Sequence, residues 1–342
     1  MKNWKFWVGL AISAIFLWSA LSKLQLNEVW EHIATANYWW LLPSIAIYFV
    51  AVWARTWRWD YMLRPLKHIP VSRLFPVVVI GYMGNNIYPF RAGELLRSYV
   101  LRHREEVPIS ASLATVVVER VFDGLVMLVF VFVALPFTPI PDDSGIVQKT
   151  VIFASIAFFA ALILFFGLAA MPERAYKLAE WGANRFLPPR VRPPLLDFTG
   201  RFLDGLKSLR SFRNVLMIFL TSIVIWLLET VKYWFVMHAF NFEVSFFALM
   251  LMNGVVNLAT TLPSAPGYVG TFDEPGIQVL TLYGINENIA GAYTLVLHVA
   301  LWLPITVLGA IYMVREGLGW SDFSQAVAAA RDEPPPKQKA PV

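Results

Sequence analysis

The sequence contains no cysteine. That excludes disulfides, thiolate metal sites and a cysteine nucleophile together. Charge is scarce as well: 15% of the residues are charged, against about 25% in an ordinary soluble domain. From 245 to 287 there is neither a lysine nor an arginine. The chain also lacks a nucleophile elbow, a nucleotide-binding loop and a metal-ligand cluster, so no cofactor and no metal are expected. What fills the sequence instead is apolar. Of its 342 residues 58% are hydrophobic, with 14 Trp and 26 Phe, a composition suited to a protein solvated by lipid with rings at headgroup level. The net charge of +5 then marks a membrane side rather than a nucleic-acid partner.

A membrane span needs about 20 mostly apolar residues. Six segments qualify: 4–21, 38–58, 109–135, 149–170, 214–240 and 288–314. The first follows Lys2 and Lys5 as a signal peptide would, but no small-residue cleavage site follows, and it reads as a retained helix. No lipidation motif is visible. Two further apolar stretches are broken. Residues 74–89 contain Gly81, Gly84, Asn85 and Asn86 and close at Pro89; residues 246–262 contain Gly254 and Asn257 and close at Pro263. A second helix-like piece follows each, at about 92–104 and 268–284.

Loop charges set the topology. The stretch 55–73 holds Arg55, Arg58, Arg64, Lys67 and Arg73 against Asp60, and 171–213 holds nine Lys/Arg against four acids; both read as cytoplasmic. The loop 136–147, with Asp142 and Asp143, and the loop at 241–245, with Glu243, read as external. The broken piece 72–104 then begins and ends inside, while 245–285, with Asp273, Glu274 and Glu287 nearby, begins and ends outside. Two re-entrant helical hairpins from opposite faces, each framed by full spans, are the pattern of an inverted repeat. The expected fold is therefore an all-α integral membrane protein with six full transmembrane helices and two re-entrant hairpins. The repeat units are about 38–135 and 214–314, within a membrane domain 1–318. Both hairpin turns carry the same Pro-x3-Gly spacing, Pro89 to Gly93 and Pro263 to Gly267. The basic segment 172–213 is expected on the anionic leaflet, and 319–342 forms a polar, disordered cytoplasmic tail. Two ordinary kinked spans are the plainer alternative, which would leave the loop charges inconsistent.

Non-helical backbone at membrane depth must be buried or must line a wet cavity. Asn85 and Asn86 can satisfy freed backbone groups, Pro89 and Pro263 stop helices, and Gly93 and Gly267 permit close approach or positive φ. A half-helix starting near Gly93 presents N–H groups that attract anions, and Arg91 and Arg97 suit a phosphate-bearing headgroup, with Glu94 as an ion-pair partner. An interfacial network that only anchors the hairpin is the competing reading. Charges at the bilayer centre cost at least about 2.5–3.5 kcal/mol each, so Glu119, Arg120, Asp123, Glu229 and His298 are candidates for a polar path through the bundle. A buried structural pair, such as Arg120 with Glu119 or Glu229, is the alternative. His298 could also carry protons.

Three runs carry a resemblance: 85–97 (NNIYPFRAGELLR), 119–123 (ERVFD) and 262–274 (LPSAPGYVGTFDE), the last holding Pro263, Pro266, Gly267 and Gly270. In this order and spacing the sequence resembles the lysylphosphatidylglycerol synthase transmembrane-region family, also called the flippase-like family of UPF0104 type. The resemblance covers roughly 5–318. It implies a membrane fold and lipid translocation, or a role in lipid or polyprenyl-linked glycan pathways. Bifunctional members add a soluble aminoacyl-transferase domain, and the two dozen polar residues after the last span cannot hold one. The expectation is a non-enzymatic lipid flippase or transporter in the plasma (inner) membrane, with both termini cytoplasmic. Its partners would be anionic or phosphate-containing membrane lipids and no nucleic acid, with a homo-oligomer left open. A membrane-embedded lipid-modifying enzyme and an accessory subunit of a synthesis complex are the competing classes.

Overall fold

The computed structural model describes residues 4–138 and 171–318, apart from Lys23, Pro89, Phe90, Arg190, Val191, Lys207, Ser208, Arg210 and Pro263, together with scattered residues between 153 and 170. The acids Asp142 and Asp143, most of the apolar segment 149–170, Pro89 and Pro263 and the tail beyond 318 lie outside the described residues. Every regular element among the described residues is helical.

In chain order the helices are α1 (Trp4–Ser22), α2 (Leu26–Thr35), α3 (Leu41–Leu63), α4 (Val71–Ile87), α5 (Gly93–Glu105), α6 (Ile109–Ala134), α7 (Pro172–Phe186), α8 (Arg192–Gly205), α9 (Phe212–Met237), α10 (Phe246–Ala259), α11 (Asp273–Leu282) and α12 (Glu287–Arg315). At 1.5 Å per residue, α3, α6, α9 and α12 run about 35–44 Å, enough to cross a hydrocarbon core of about 30 Å. Among the described residues three stretches are both long and apolar enough to cross, Tyr38–Leu63, Phe212–Met237 and Glu287–Arg315, with a fourth if the bent pair Leu10–Ser22 and Leu26–Thr35 counts as one span. α6 has the length, but Glu119, Arg120 and Asp123 sit at its centre. By contrast α4, α5, α10 and α11 reach only about 15–26 Å.

Those four short helices form two antiparallel pairs. In the first, Arg73 meets Glu105 at 3.7 Å at one end. A Cβ on Gly81 would lie 2.9 Å from Arg97 Cβ, and one on Gly84 2.7 Å from Gly93 Cα, further along. The three matches keep one register, so α4 and α5 lie side by side over their whole length. Glycine is required because any side chain on Gly93 would run into the Gly81 carbonyl and the Asn85 amide. Gly93 does not adopt positive φ; at this turn that conformation belongs to Arg91. In the second pair Met252 of α10 lies against Gly276 of α11, and the other ends converge just beyond α6, where Tyr283 Oη, past α11, donates to the Thr138 carbonyl at 3.1 Å and Phe247 near the start of α10 stacks on Phe137.

The surrounding helices give the bundle two distinct ends. α9 is antiparallel to α3: Ser44 Oγ donates to Lys232 O at 3.3 Å, and Arg58 reaches Ser222 at 2.7 Å. α12 is antiparallel to α4: Phe75 stacks edge-on against Tyr312, and Asn86 bonds to Trp302 and Thr306. One end is basic, where Lys67, Arg73 and Arg104 pair with Glu105 and Glu316. There α4 starts and α5 and α12 stop. At the other end Asn288 Nδ2 donates to Glu28 and the Gln25 amide donates to Asn288 Oδ1. There α12 begins, and Phe247 of α10 stacks on Phe137 beyond α6. The α4–α5 and α10–α11 pairs thus start at opposite ends of the bundle, and the segments that join their helices touch through Arg91, Thr260 and Tyr268.

Several boundaries differ from the sequence expectation. α3 continues to Leu63, so Arg55 and Arg58, read as loop charges, lie inside a helix and are buried. Its buried face recurs as Tyr48, Val52, Arg55 and Trp59, while Val50, Trp53 and Trp57 face outward. Asp273 and Glu274, read as external acids, open α11 and are buried: Asp273 Oδ2 accepts from the Gly270 amide, and Glu274 accepts from Ser19 of α1. α2, bent by 84° from α1, was not anticipated. The basic linker folds into α7, with Trp181 and Phe186 exposed, and α8, which is followed by Leu206 packed against the core.

Candidate functional site

The two hairpin turns touch through Arg91 and Tyr268. Arg91 Nη2 donates to the Thr260 carbonyl at 3.2 Å, and its guanidinium lies 5.6 Å from the centre of the Tyr268 ring. Both residues have positive φ, 52° and 61°. For a non-glycine residue that conformation costs roughly 1–2 kcal/mol, and such strain concentrates where function holds a side chain in place. Gly267 (φ 70°) and Gly270 (φ 81°) carry the rest of the second turn. Pro266 opens that turn, Gly267 faces Trp302, and Gly270 lets α1 approach at Ser13 and Leu17.

Behind the turns lies a dense ion network. Arg58, fully buried, binds Asp123 at 2.6 Å and Glu119 at 3.1 Å. Arg97 pairs with Glu119 at 2.9 Å and stacks over Trp59. Arg120 reaches Glu119 at 2.9 Å, Glu94 at 3.4 Å and Asp123 at 3.5 Å. On the other side Arg55 pairs with Glu229 at 2.8 Å, and Lys232 also bonds to Glu229. Trp226 Nε1 donates to Asp123 at 2.9 Å. Six cations (Arg55, Arg58, Arg91, Arg97, Arg120, Lys232) thus face four carboxylates (Glu94, Glu119, Asp123, Glu229). Charges out of water cost several kcal/mol each unless paired, and within this network, apart from Asp273, Glu274 and His298 beyond it, the cations outnumber the carboxylates by two, which suits an anionic guest.

His298 and Asp273 form a separate pair. Nδ1 lies 2.7 Å from Asp273 Oδ1 and Nε2 2.7 Å from the Gly267 carbonyl. Both partners are acceptors, so both bonds form when each ring nitrogen carries a hydrogen. The pair is then internally neutral and ties α12 to the second turn.

These groups enclose a cavity of about 140 Å³. Arg55, Arg91, Arg120 and Lys232 line it against Glu229, together with Asn85, Asn86 and His298. Tyr82 Oη and Asn85 Oδ1 are buried with no hydrogen-bond partner among the described residues. Asn86 is committed: its Nδ2 donates to Trp302 O and Thr306 Oγ1, and its carbonyl accepts from Trp302 Nε1. Two adjoining cavities, of about 310 and 150 Å³, share Arg91 with the first.

Of the residues singled out from sequence, Asn85, Asn86, Arg91, Arg120, Glu229 and His298 converge on the central cavity, and Glu94 and Asp123 on the 310 Å³ cavity. Arg97 and Glu119 sit behind them, paired with each other and nearly fully buried. Sequence reasoning missed Arg55, Lys232 and Tyr268 as cavity residues. The spacing of Arg55 from Tyr48, Val52 and Trp59 on one helical face was the available signal. Among the described residues no group of three or more His, Asp or Glu is arranged to hold a metal ion.

Comparison with known proteins finds relatives named as membrane proteins. The chain is 22% identical to the UPF0104 membrane protein MJ1595 of Methanocaldococcus jannaschii, over 92% of this chain and 96% of that one. It is 24% identical to a UPF0104 membrane protein of Methanothermobacter thermautotrophicus, over 89% and 90%. It is 26% identical to the glycosyltransferase AglD of Haloferax volcanii over 79% of this chain, which covers 48% of AglD. No solved structure matches it. The model of the lysylphosphatidylglycerol synthase TM region family matches residues 6–309, nearly the whole length, and the chain belongs to that family.

Proposed function

We propose that this protein moves a phosphate-bearing lipid, such as a phospholipid or a polyprenyl-phosphate-linked lipid, between the leaflets of a membrane. In this reading α4–α5 and α10–α11 are re-entrant hairpins, and 38–135 and 214–314 are inverted repeats. Each unit runs long helix, two short helices, long helix, and their hairpins start at opposite ends of the bundle. The basic end, with Lys67, Arg73 and Arg104, is cytoplasmic by the distribution of charge.

One observation carries the reading: the two turns meet at Arg91, beside a partly open cavity whose surroundings hold six cations and four carboxylates. A phosphate entering there gains charge-assisted hydrogen bonds from guanidinium groups, which suit its geometry. Arg91 is the least committed of the cations, its only carboxylate neighbour being Glu94 at 4.0 Å among the described residues. Glu119, with Arg58 and Arg97, holds the scaffold rigid, while the Asp273–His298 pair fixes the opposite turn. Neither turn needs a large motion for the two sides of the cavity to open in alternation, because each hairpin is a separate two-helix unit.

The test is reconstitution. Purified protein in phosphatidylcholine liposomes should speed the equilibration of labelled lipid phosphates across the bilayer over empty vesicles. If none of an acyl and a polyprenyl series equilibrates faster, the reading is wrong. The likeness to AglD favours a second reading, a membrane component of lipid-linked glycan synthesis. That reading predicts a mass change in lipid extract incubated with the protein, which the transport reading does not.

A further inference from the structure

Resting on the transport reading, we infer that the cavity of about 310 Å³ is a lateral portal through which the hydrocarbon chain of the lipid reaches the bilayer while its phosphate sits on Arg91 and Arg120. Both arginines line this cavity and the central one, so the two spaces share one polar wall. Away from that wall the lining turns apolar: Met127 and Gly124 of α6 on one side, Leu258 of α10 on the other. The mouth lies on the outside of the bundle, because Leu258 and Thr261 are exposed.

The position along the bundle matters. Toward the end where α12 begins, α6 and α10 are in contact, a Cβ on Gly254 meeting Val131 Cγ2 at 3.5 Å and the Met127 carbonyl at 3.6 Å, ordinary van der Waals distances. The opening lies just beyond that contact, beside Gly124, roughly 23 Å from one end of α6 and 15 Å from the other. A mid-depth side opening is what a lipid carrier needs. The headgroup must cross the apolar layer shielded, but transferring a long chain out of hydrocarbon would be strongly unfavourable. A chain leaving at mid-depth lies in hydrocarbon whichever leaflet the head faces. A carrier for a free, soluble phosphate would need no such exit.

Two measurements on the full chain in phosphatidylcholine liposomes test this. In the first, a lipid phosphate bearing a diazirine at its chain end, with acyl or polyprenyl tail, is photolysed and the labelled peptides are mapped. Label should concentrate at Met127, Leu258 and Thr261 over the lipid-facing Leu303 and Val307 of α12, and the excess should vanish in Arg91→Gly. In the second, Leu258→Trp with Thr261→Trp, and separately Leu258→Arg, should slow lipid movement roughly tenfold or more while inorganic phosphate still binds. Evenly spread label, or occluded variants that carry lipid at the wild-type rate, would overturn the portal and leave the transport reading standing. If wild-type protein neither binds phosphate nor moves lipid, the transport reading fails and the portal with it.

Discussion

Arg91 and Glu119 are both charged, yet the structure gives them opposite surroundings. The Arg91 side chain is 23% exposed, holds one backbone carbonyl at 3.2 Å and stands in a left-handed conformation that glycine adopts freely. Arg91→Gly should therefore leave the melting temperature in detergent equal to or above that of wild type. Glu119 is contacted by Arg58, Arg97 and Arg120. Removing one partner of a buried ion pair typically costs about 3–5 kcal/mol, so Glu119→Ala should lower the melting temperature markedly, whatever it does to activity. A Glu119→Ala protein that melts like wild type would show that the network is not structural. At this scale the sequence was readable where polar residues interrupt an apolar run: Arg91, Arg120, Glu229 and His298 stand out that way. Arg55 did not, because a positive charge at the end of a span looks like a loop charge until the helix is known to continue to Leu63. Pairing across elements, such as Arg55 with Glu229 and His298 with Asp273, depends on helix rotation that periodicity does not define.

Among the elements, the α4–α5 pair depends on Gly81, Gly84 and above all Gly93. A Cβ on Gly93 would strike backbone of α4 rather than the end of a flexible side chain, so the helices must separate. Overpacking of this kind costs about 1–3 kcal/mol, and Gly93→Ala should lower stability by that amount in thermal or denaturant unfolding. Gly284→Ala meets open space but breaks a left-handed position (φ 80°), and its effect should come from backbone strain alone. That the apolar stretches near 74–89 and 246–262 break into short helices could be anticipated from their Gly, Asn and Pro interruptions. Their closeness could not, since it rests on which face Gly81 and Gly84 present. The helix α2 escaped notice because Leu26–Thr35 is short and amphipathic, with Glu28, Glu31 and His32 diluting any apolar signal.

For the whole molecule, opposed hairpins predict a labelling pattern. The absence of native cysteine makes the experiment clean. Single substitutions Ser72→Cys and His103→Cys, at the start of α4 and the end of α5, should both react with a membrane-impermeant maleimide from one side. Glu243→Cys and Glu287→Cys, flanking the second hairpin, should both react only from the other. Opposite-side labelling of Ser72→Cys and His103→Cys would mean that α4 and α5 together form a crossing. Family membership and helical architecture were accessible from the three sequence motifs, but the meeting of the two turns at one arginine was not, because it joins residues 91, 260 and 268 across the chain.

The most direct test of the account compares wild-type protein with Arg91→Gly in the liposome assay, using a labelled lipid phosphate. Hydrogen bonds to a charged group contribute about 1.5–3 kcal/mol, so the variant should remain folded and equilibrate the lipid roughly 10- to 100-fold more slowly. Wild-type rates from a folded Arg91→Gly protein would contradict the claim that the phosphate passes through the site where the hairpins meet.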